Sequence, residues 1–361
     1  MAANSTEQNS AADFSTRTNQ NGVDVGTTGI QKPQTGLLRD KKIAVVYGAV
    51  SEEDGLYICN VPREKWSLVA ILDALAGLGL HAEHVDPTQD DFIERIRQFD
   101  VAFLNVHGPY GEDGRIQGLL DYLSIPYTSS GVLASSIGMD KIASKAIFSY
   151  LGLSVPRGIP LLRSRSVEIP ASFPFPAMLK AVDGGSSVGM ALISDPADLT
   201  REIDVLHRRG FKRLFLEEYI QGRAVTVSVT ESAEGPVVFA PLEFITESEY
   251  YDESTKLGGP GAPSAEYVVP DDLAPHVFKD LSESTSAIYE FLACRGAIRV
   301  DYMIDESGTI YPLEINTIPG LQQQSNLPVS CGLEGIAYPH LIESLLVSAV
   351  ESFEPAPWAV R

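Results

Sequence analysis

The stretch IRVDYMIDESGTIYPLEINTIPG, residues 298–320, decides how the second half of this chain folds. Ile298–Ile304 and Ile310–Ile315 are short, largely apolar runs, and such runs predict strands. The ESG sequence at 306–308 separates them and predicts a turn. The stretch is therefore interpreted as two neighbouring strands flanking a tight connection.

Four polar side chains interrupt these apolar strands. Glu314 and Asn316 alternate along one strand and share a face, and Asp301 joins them if the two strands pair. Two carboxylates and an amide oxygen form a hard-oxygen site that suits Mg²⁺, commonly shared with substrate phosphates. Arg299 shares the face of Asp301, where it could neutralise the acids or stabilise an oxyanion or a transferring phosphoryl group. A solvated strand face is the alternative, although ionisable residues in such apolar strands are usually paired or liganded.

Further strands and helices surround this pair. The alternating runs TVSV (226–229) and VVFAPLEFI (237–245) predict an antiparallel sheet. Helices are predicted over 272–293 and 335–351. Residues 246–266 are polar and glycine-rich, which predicts a long functional loop.

The middle of the chain carries lysines and a Gly/Ser loop. Residues 177–181 and 190–193 are predicted strands on either side of that loop, with Lys180 near the end of the first, and Lys141 begins a predicted helix. Either lysine could neutralise a phosphate, although an isolated lysine is more often a surface residue. In GGSSVG (184–189), small residues allow backbone N–H groups to approach a ligand, and Ser186 and Ser187 add hydroxyls. An ordinary hairpin turn explains the loop equally well, and no GK[ST] follows it.

The N-terminal half alternates strands with helices. KIAVVY (42–47) and VAFLNV (101–106) are buried-strand candidates, and 66–78 has helical spacing. This alternation predicts parallel βαβ units, with functional groups in loops at the carboxyl ends of the strands. HGPYGEDG (107–114) is such a loop, and His107 could bind a small substrate there; a hydrogen-bonded turn is the alternative.

Composition limits the class of protein. The chain has 361 residues, is 44% hydrophobic and carries a net charge of −21, so two or three domains are expected and neither nucleic acid nor a membrane surface is an expected partner. An anion such as ATP would need a local basic pocket. Residues 1–36 are rich in small polar residues, which predicts a disordered tail rather than a signal peptide. Three distant cysteines are typical of reduced thiols in a cytoplasmic protein.

In order and spacing, these segments resemble the D-alanine–D-alanine ligase family of ATP-grasp enzymes, from about Lys42 to Val350. The motifs that carry the resemblance are VHGPYGEDGRIQGLLDYLSIPYTSSGVLASS (106–136), MDKIASK (139–145), GGSSVGM (184–190), RVDYMID (299–305) and LEINTIPG (313–320).

The resemblance implies an α/β ATP-grasp fold of three domains. After the tail at 1–36, the expected domains are an N-terminal substrate-binding domain at 37–139, a central lid domain at 140–221 and a C-terminal domain with the metal site at 222–361. ATP is expected between the last two. The resemblance further implies ligation of two amino acids through an acyl phosphate, two Mg²⁺ ions or Mn²⁺ in their place, and a homodimer.

The family's site residues map onto matching positions. The resemblance assigns Lys141, Lys180, Ser187 and Lys256 to the ATP phosphates, Ser186 to site closure, Glu217 and Ile220 to adenine, Asp301, Glu314 and Asn316 to magnesium, Arg299 and Gly320 to the oxyanion, and His107 and Ser325 to the carboxylates of the first and second amino acids.

The sequence departs from the family's pattern around the ribose and the lid. Ala224 stands where the family has a ribose-binding glutamate, and Glu218 could replace that contact. Leu257 replaces an aromatic residue that helps close the lid and influences the second substrate.

Two further departures concern the amino-acid substrates. After the first strand, GAVSEED (48–54) and an insertion leave Glu53 or Glu64 to meet the first amine. Asn326 replaces an apolar residue beside the second-substrate pocket. A specialised peptide or amide ligase for other amino acids therefore stays open, as do a ring-closing enzyme and a non-catalytic ATP-binding protein.

Overall fold

A computed structural model describes residues 35–161, 169–184, 189–232, 235–246 and 265–358, apart from the side chains of Glu52, Glu53, Leu56, Thr246, Ala265 and Glu266. Helices and strands alternate along these residues, and the strands form three separate sheets. The predicted α/β class is confirmed.

The first sheet is parallel. Its strand order is β2-β1-β3, with β1 at Ile43–Val46, β2 at Ala82–Val85 and β3 at Val101–Leu104. The crossovers contain α3 (Ser67–Gly77) and α4 (Phe92–Ile96). The predicted parallel βαβ arrangement is thus present, because apolar strands covered by amphipathic helices pair in this way.

The second sheet is antiparallel and has four strands in the order β4-β7-β5-β6. Helix α7 precedes it and α8 packs against β5. The bounds are α7 Lys141–Tyr150, β4 Gly158–Leu161, β5 Ala177–Ala181, β6 Met190–Ile193, α8 Leu199–Arg208 and β7 Leu214–Glu218.

The third sheet is also antiparallel and follows the order β11-β10-β8-β12-β13, with β9 paired to β8. Its bounds are β8 Gly222–Ser232, β9 Gly235–Val238, β10 Leu242–Thr246, β11 Ala265–Val268, β12 Ile298–Asp305 and β13 Ile310–Asn316. The predicted run 237–245 is split between β9 and β10, and Pro241, which cannot donate a ladder hydrogen bond, lies at the break.

The other helices connect or cover the sheets. They are α1 Thr35–Leu38, α2 Glu52–Asn60, α5 Arg115–Leu123, α6 Val132–Met139, α9 Pro275–Phe291, α10 Asn326–Leu333 and α11 Tyr338–Glu351. The last helix begins later than the predicted residue 335, because Gly335 has φ +75°, outside helical geometry.

The last helix packs on the first sheet's side of the molecule. Leu341 and Leu345 of α11 share one buried apolar cluster with Ile71 and Leu75 of α3. The chain therefore returns to its N-terminal part after the third sheet. The division into three domains, with its boundaries, stays a prediction. Within the described residues, no helix is long and apolar enough to cross a membrane.

Candidate active site

The acidic side chains of β12 and β13 meet because the strands pair in a specific register. Asp301 lies opposite Glu314, and Arg299 lies opposite Asn316. On the other side of β12, Thr226 of β8 lies opposite Asp301. The structure thus brings together the four residues that the alternation of these strands singled out.

Asp301 is held by a fork of hydrogen bonds. Arg299 donates from Nε and Nη2 to the two carboxylate oxygens, both at 2.8 Å, and the Thr226 hydroxyl donates at 2.6 Å. Burial is the largest single influence on the Arg299 pKa and lowers it, but the facing Asp301 charge and hydrogen bonds outweigh burial and raise the pKa. Arg299 therefore stays cationic.

Glu314 is paired with a lysine from another element. Lys141 Nζ lies 3.0 Å from Glu314 Oε2 and also donates to the carbonyl oxygen of Gly184. Lys141 is the first residue of α7, and Asp140 caps that helix by accepting from the N–H groups of Ile142 and Ala143. The cap thereby fixes the point at which Lys141 leaves the backbone.

A cation would find oxygen ligands here. Asn316 Oδ1 is buried and has no hydrogen-bond partner among the described residues. A buried acceptor left unpaired is costly, so a ligand is expected at that atom. Across the described part of the chain, no three His, Cys, Asp or Glu side chains cluster in a way that could hold a metal ion. The candidate set is therefore two carboxylates and one amide, which ligand oxygens would complete.

A buried glutamate and two lysines form the second part of the site. Glu217 is only 1% exposed, its Oε2 accepts from Lys180 Nζ at 2.6 Å, and Lys145 pairs with its Oε1. Burial, the largest influence, would raise the pKa of Glu217, but Lys180 and Lys145 together lower it. For Lys145, burial is the largest influence and lowers the pKa, and it outweighs the nearby Glu217 charge, which raises the pKa.

Lys145 is a site residue that the sequence reasoning missed. It follows Lys141 by four residues, and positions i and i+4 share one face of a helix. That spacing within MDKIASK was the available signal. Counting Lys141 with Glu314, three lysines face two carboxylates here, which leaves a local positive excess in a chain of net charge −21.

The N-terminal loop contains His107. Its backbone N–H donates to Asp54 Oδ2 at 3.1 Å, and its Nδ1 lies 3.2 Å from Asp54 Oδ1. Glu64 is exposed in a single 3₁₀ turn, Arg63–Lys65, and the side chain of Glu53 lies outside the described part. Asp54 was not among the predicted residues, because nothing in the local pattern separates it from the two glutamates before it.

Gly320, Ser325 and Asn326 lie around one turn. The Ser325 hydroxyl donates to Gln322 Oε1 at 2.8 Å, and Ser325 immediately precedes α10, where Asn326 is 7% exposed. A Cβ added to Gly320 would lie 3.0 Å from Gln322 Oε1 and 3.1 Å from Ser325 Oγ, so only glycine fits without displacement. Gln322, within the PGLQQQSN sequence, was also missed.

The predicted adenine and ribose positions lie near the end of β7 and the start of β8. Glu218 donates its N–H to Arg157 O at 2.8 Å and is half-buried, as are Ile220 and Ala224. The predicted residues Ser186, Ser187, Lys256 and Leu257 lie outside the described residues.

Comparisons with known proteins agree with this arrangement. A family model described as D-ala D-ala ligase N-terminus matches residues 9–130, and one described as D-ala D-ala ligase C-terminus matches residues 147–347. A D-alanine–D-alanine ligase of Syntrophotalea carbinolica is 33% identical over 315 residues, covering 86% of this chain and 97% of the relative.

Solved structures give the same result. The D-alanine–D-alanine ligase of Bacillus anthracis is similar with a TM-score of 0.74 and 29% identity, covering 86% of this chain and 97% of that one. A structure of the Bacillus anthracis enzyme complexed with ATP is similar with a TM-score of 0.72 and 26% identity, covering 86% and 98%.

Proposed function

The chain belongs to the D-alanine–D-alanine ligase family, and on that premise we propose that it joins two amino acids through an acyl-phosphate intermediate. Membership makes it an ATP-dependent, ADP-forming ligase of the ATP-grasp class. The two amino acids, the role of each site residue and the metal content are the parts that we propose.

The observation that carries the proposal is the contact between Lys141 and Glu314. It joins the helix that precedes the second sheet to the acidic strand of the third sheet. Lysines from one side and carboxylates from the other thus adjoin, which suits a polyphosphate that needs cationic side chains and a metal at once. Lys141 and Lys180 are proposed to bind ATP phosphates, and Glu217 to hold Lys180 in place.

The proposed reaction has two steps. A carboxylate oxygen of the first amino acid attacks the γ-phosphorus of ATP, the bond to the β-γ bridging oxygen breaks, and ADP leaves. The deprotonated amine of the second amino acid then attacks the acyl carbon, and inorganic phosphate leaves as the peptide bond forms. Arg299 and the backbone at Gly320 are proposed to stabilise the tetrahedral oxyanion between these events.

The residues on β12 and β13 fit a magnesium ion. Asp301, Glu314 and the unpaired Asn316 Oδ1 offer hard oxygen ligands of the type that Mg²⁺ prefers. When bound there, Mg²⁺ or Mn²⁺ would disperse charge on the phosphate oxygens. Two ions, a homodimer and a cytoplasmic location are inferred from the family resemblance.

D-alanine is the first candidate for both substrates, because the relatives named above are D-alanine–D-alanine ligases. Asn326 favours a second candidate, a biosynthetic ligase for other amino acids. Its amide is buried at the start of α10, next to Ser325, where the family's pattern has an apolar residue. A second substrate with a hydrogen-bonding side chain would suit that position.

The experiment is phosphate release from ATP and Mg²⁺ with single amino acids and pairs, with the products identified by mass spectrometry. We expect phosphate and a dipeptide from D-alanine or from a specific pair, and loss of both in Glu314→Gln. A product closed within one substrate molecule would support the ring-closing alternative. Nucleotide binding without phosphate release across the panel would support the non-catalytic alternative.

A further inference from the structure

Helix α2 (Glu52–Asn60) carries a buried acid in an unusual pairing. Asp54 is 6% exposed, and its two carboxylate oxygens face two nitrogens of the same residue, the backbone N and Nδ1 of His107. Burying a carboxylate costs several kcal/mol unless it is paired, so the contact with His107 is what allows Asp54 to lie there. The pairing in turn fixes the imidazole.

The start of α2 packs against the loop that contains His107. Ser51 caps the helix by accepting from the Asp54 N–H at 3.1 Å, and a Cβ added to Gly108 would lie 3.2 Å from Ser51 Cβ. Gly108 also has φ +70°, which favours glycine. His107 therefore contacts Asp54, and Gly108 leaves room for Ser51, so two consecutive loop residues pack against the start of α2.

Tyr57 lies one turn further along α2, three residues after Asp54 and so on the same side of the helix. Its hydroxyl donates to Lys65 O at 3.1 Å, which ties α2 to the turn that precedes α3. A change at Tyr57 therefore alters the same helix and leaves the atoms of the Asp54–His107 contact in place.

We propose that Asp54 of α2 is a positioning residue that holds His107 at the first amino acid. The proposal rests on the proposed function, in which His107 and Ser325 lie at the two substrate carboxylates. It assigns this task to the segment that follows the first strand, where the sequence departs from the family's pattern.

The chemical role of Asp54 follows from its geometry. A carboxylate against Nδ1 keeps the proton on that nitrogen and leaves Nε2 as the atom offered to a ligand. Nε2 can donate to a substrate carboxylate only when the ring is an imidazolium, whose charge Asp54 balances. Asp54 is therefore a positioning residue, and it takes no direct part in bond making.

The test separates the two subsites. Hydroxylamine replaces the second amine and captures the acyl phosphate as a hydroxamate, so that its formation depends on the first amino acid and ATP alone. We expect Asp54→Asn to raise the KM of the first amino acid about 10-fold or more in this assay, with the KM of ATP unchanged. Tyr57→Phe, a change on the same helix, is expected to leave the KM of the first amino acid in hydroxamate formation unchanged.

Asp73→Asn, an exposed change on α3, is the matched control. A second readout is the ¹⁵N spectrum of the histidines, of which the chain has six, with His107→Gln assigning the relevant signals. The wild type should show the His107 proton on Nδ1, and Asp54→Asn should shift that pattern.

The proposal is overturned if Asp54→Asn matches Tyr57→Phe and Asp73→Asn, if the KM of ATP rises as much as that of the first amino acid, or if His107 carries its proton on Nε2 alone. A wild type that activates no amino acid would instead refute the proposed function, and the ¹⁵N spectra would still decide whether Asp54 fixes the ring.

Discussion

At the residue scale, the site is defined by which cation faces which anion. Asp301 is paired with Arg299, Glu314 with Lys141, and Glu217 with two lysines. Each proposed metal-binding carboxylate thus has a basic partner before any ligand arrives. Binding of a nucleotide and a metal would require an exchange of partners, in which the bases turn to phosphate and the acids to the cation.

Lys145→Met tests whether Lys145, by pairing with Glu217, keeps Lys180 available to bind ATP. Without Lys145, Lys180 would be the remaining ion-pair partner of Glu217 among the described residues and would be less available to phosphate. We expect the KM of ATP to rise about 10-fold, equivalent to about 1.4 kcal/mol. The melting temperature should fall as well, because removing one partner of a buried ion pair is destabilising, although Lys180 still balances the charge of Glu217.

Two variants serve as controls for this substitution. Lys145→Arg keeps the charge and should retain most of the ATP affinity, and Lys279→Met removes an exposed lysine from α9. A lower melting temperature with an unchanged KM of ATP would mean that Lys145 serves only the stability of the fold.

At the element scale, the positions of the strands were predicted from local sequence more accurately than those of the helices. β5 and β6 have the predicted bounds because each is a short apolar run ended by polar or glycine residues. Helices α2, α5, α6 and α10 were not predicted, because they are short and each contains a glycine. Packing against the sheets decides such segments.

The start of α7 offers a prediction about an element. The Asp140 side chain accepts from two helix N–H groups at 3.0 Å each and also pairs with Arg213. Asp140→Ala should cost about 1 kcal/mol, the usual worth of an N-cap. We expect a melting temperature lower by about 2–4 °C and a higher KM of ATP, because Lys141 follows the cap directly.

Asp140→Ser is the comparison, measured by thermal unfolding and initial rates. Serine keeps the cap and should recover most of the stability, although it loses the pair with Arg213. If Asp140→Ala melts with the wild type, the cap does not hold α7 in place.

At the scale of the whole molecule, the acidic chain surrounds a small basic region. The lysines of α7 and β5 lie where α7 and the second sheet meet the third sheet. Glu314 of β13 contacts Lys141 of α7 there. Stability and nucleotide binding therefore share the same buried charges.

Acid unfolding should report on Glu217. Its folded pKa lies below the ordinary 4.5, so its ionised form stabilises the fold above that pH, and this contribution is lost as the pH falls through the folded pKa. Glu217→Gln removes the titration. We expect the difference in melting temperature between the wild type and Glu217→Gln to be largest near pH 6 and to shrink below about pH 4.5. A difference that stays constant through the acid range would contradict this assignment.

The sequence by itself determined most of the strands, though not β4 or β11, together with the βαβ order of the N-terminal half, the class of reaction and the motifs that carry the lysines and acids. These follow from short-range patterns of apolar residues and from motif order. Only the tertiary structure decided the pairings: Lys180 with Glu217 across 37 residues, His107 with Asp54 across 53 residues, and Lys141 with Glu314. The physical reason is that the pairing of charged groups depends on their distance and burial. Both are set by how sheets and helices pack rather than by the neighbouring residues in the chain.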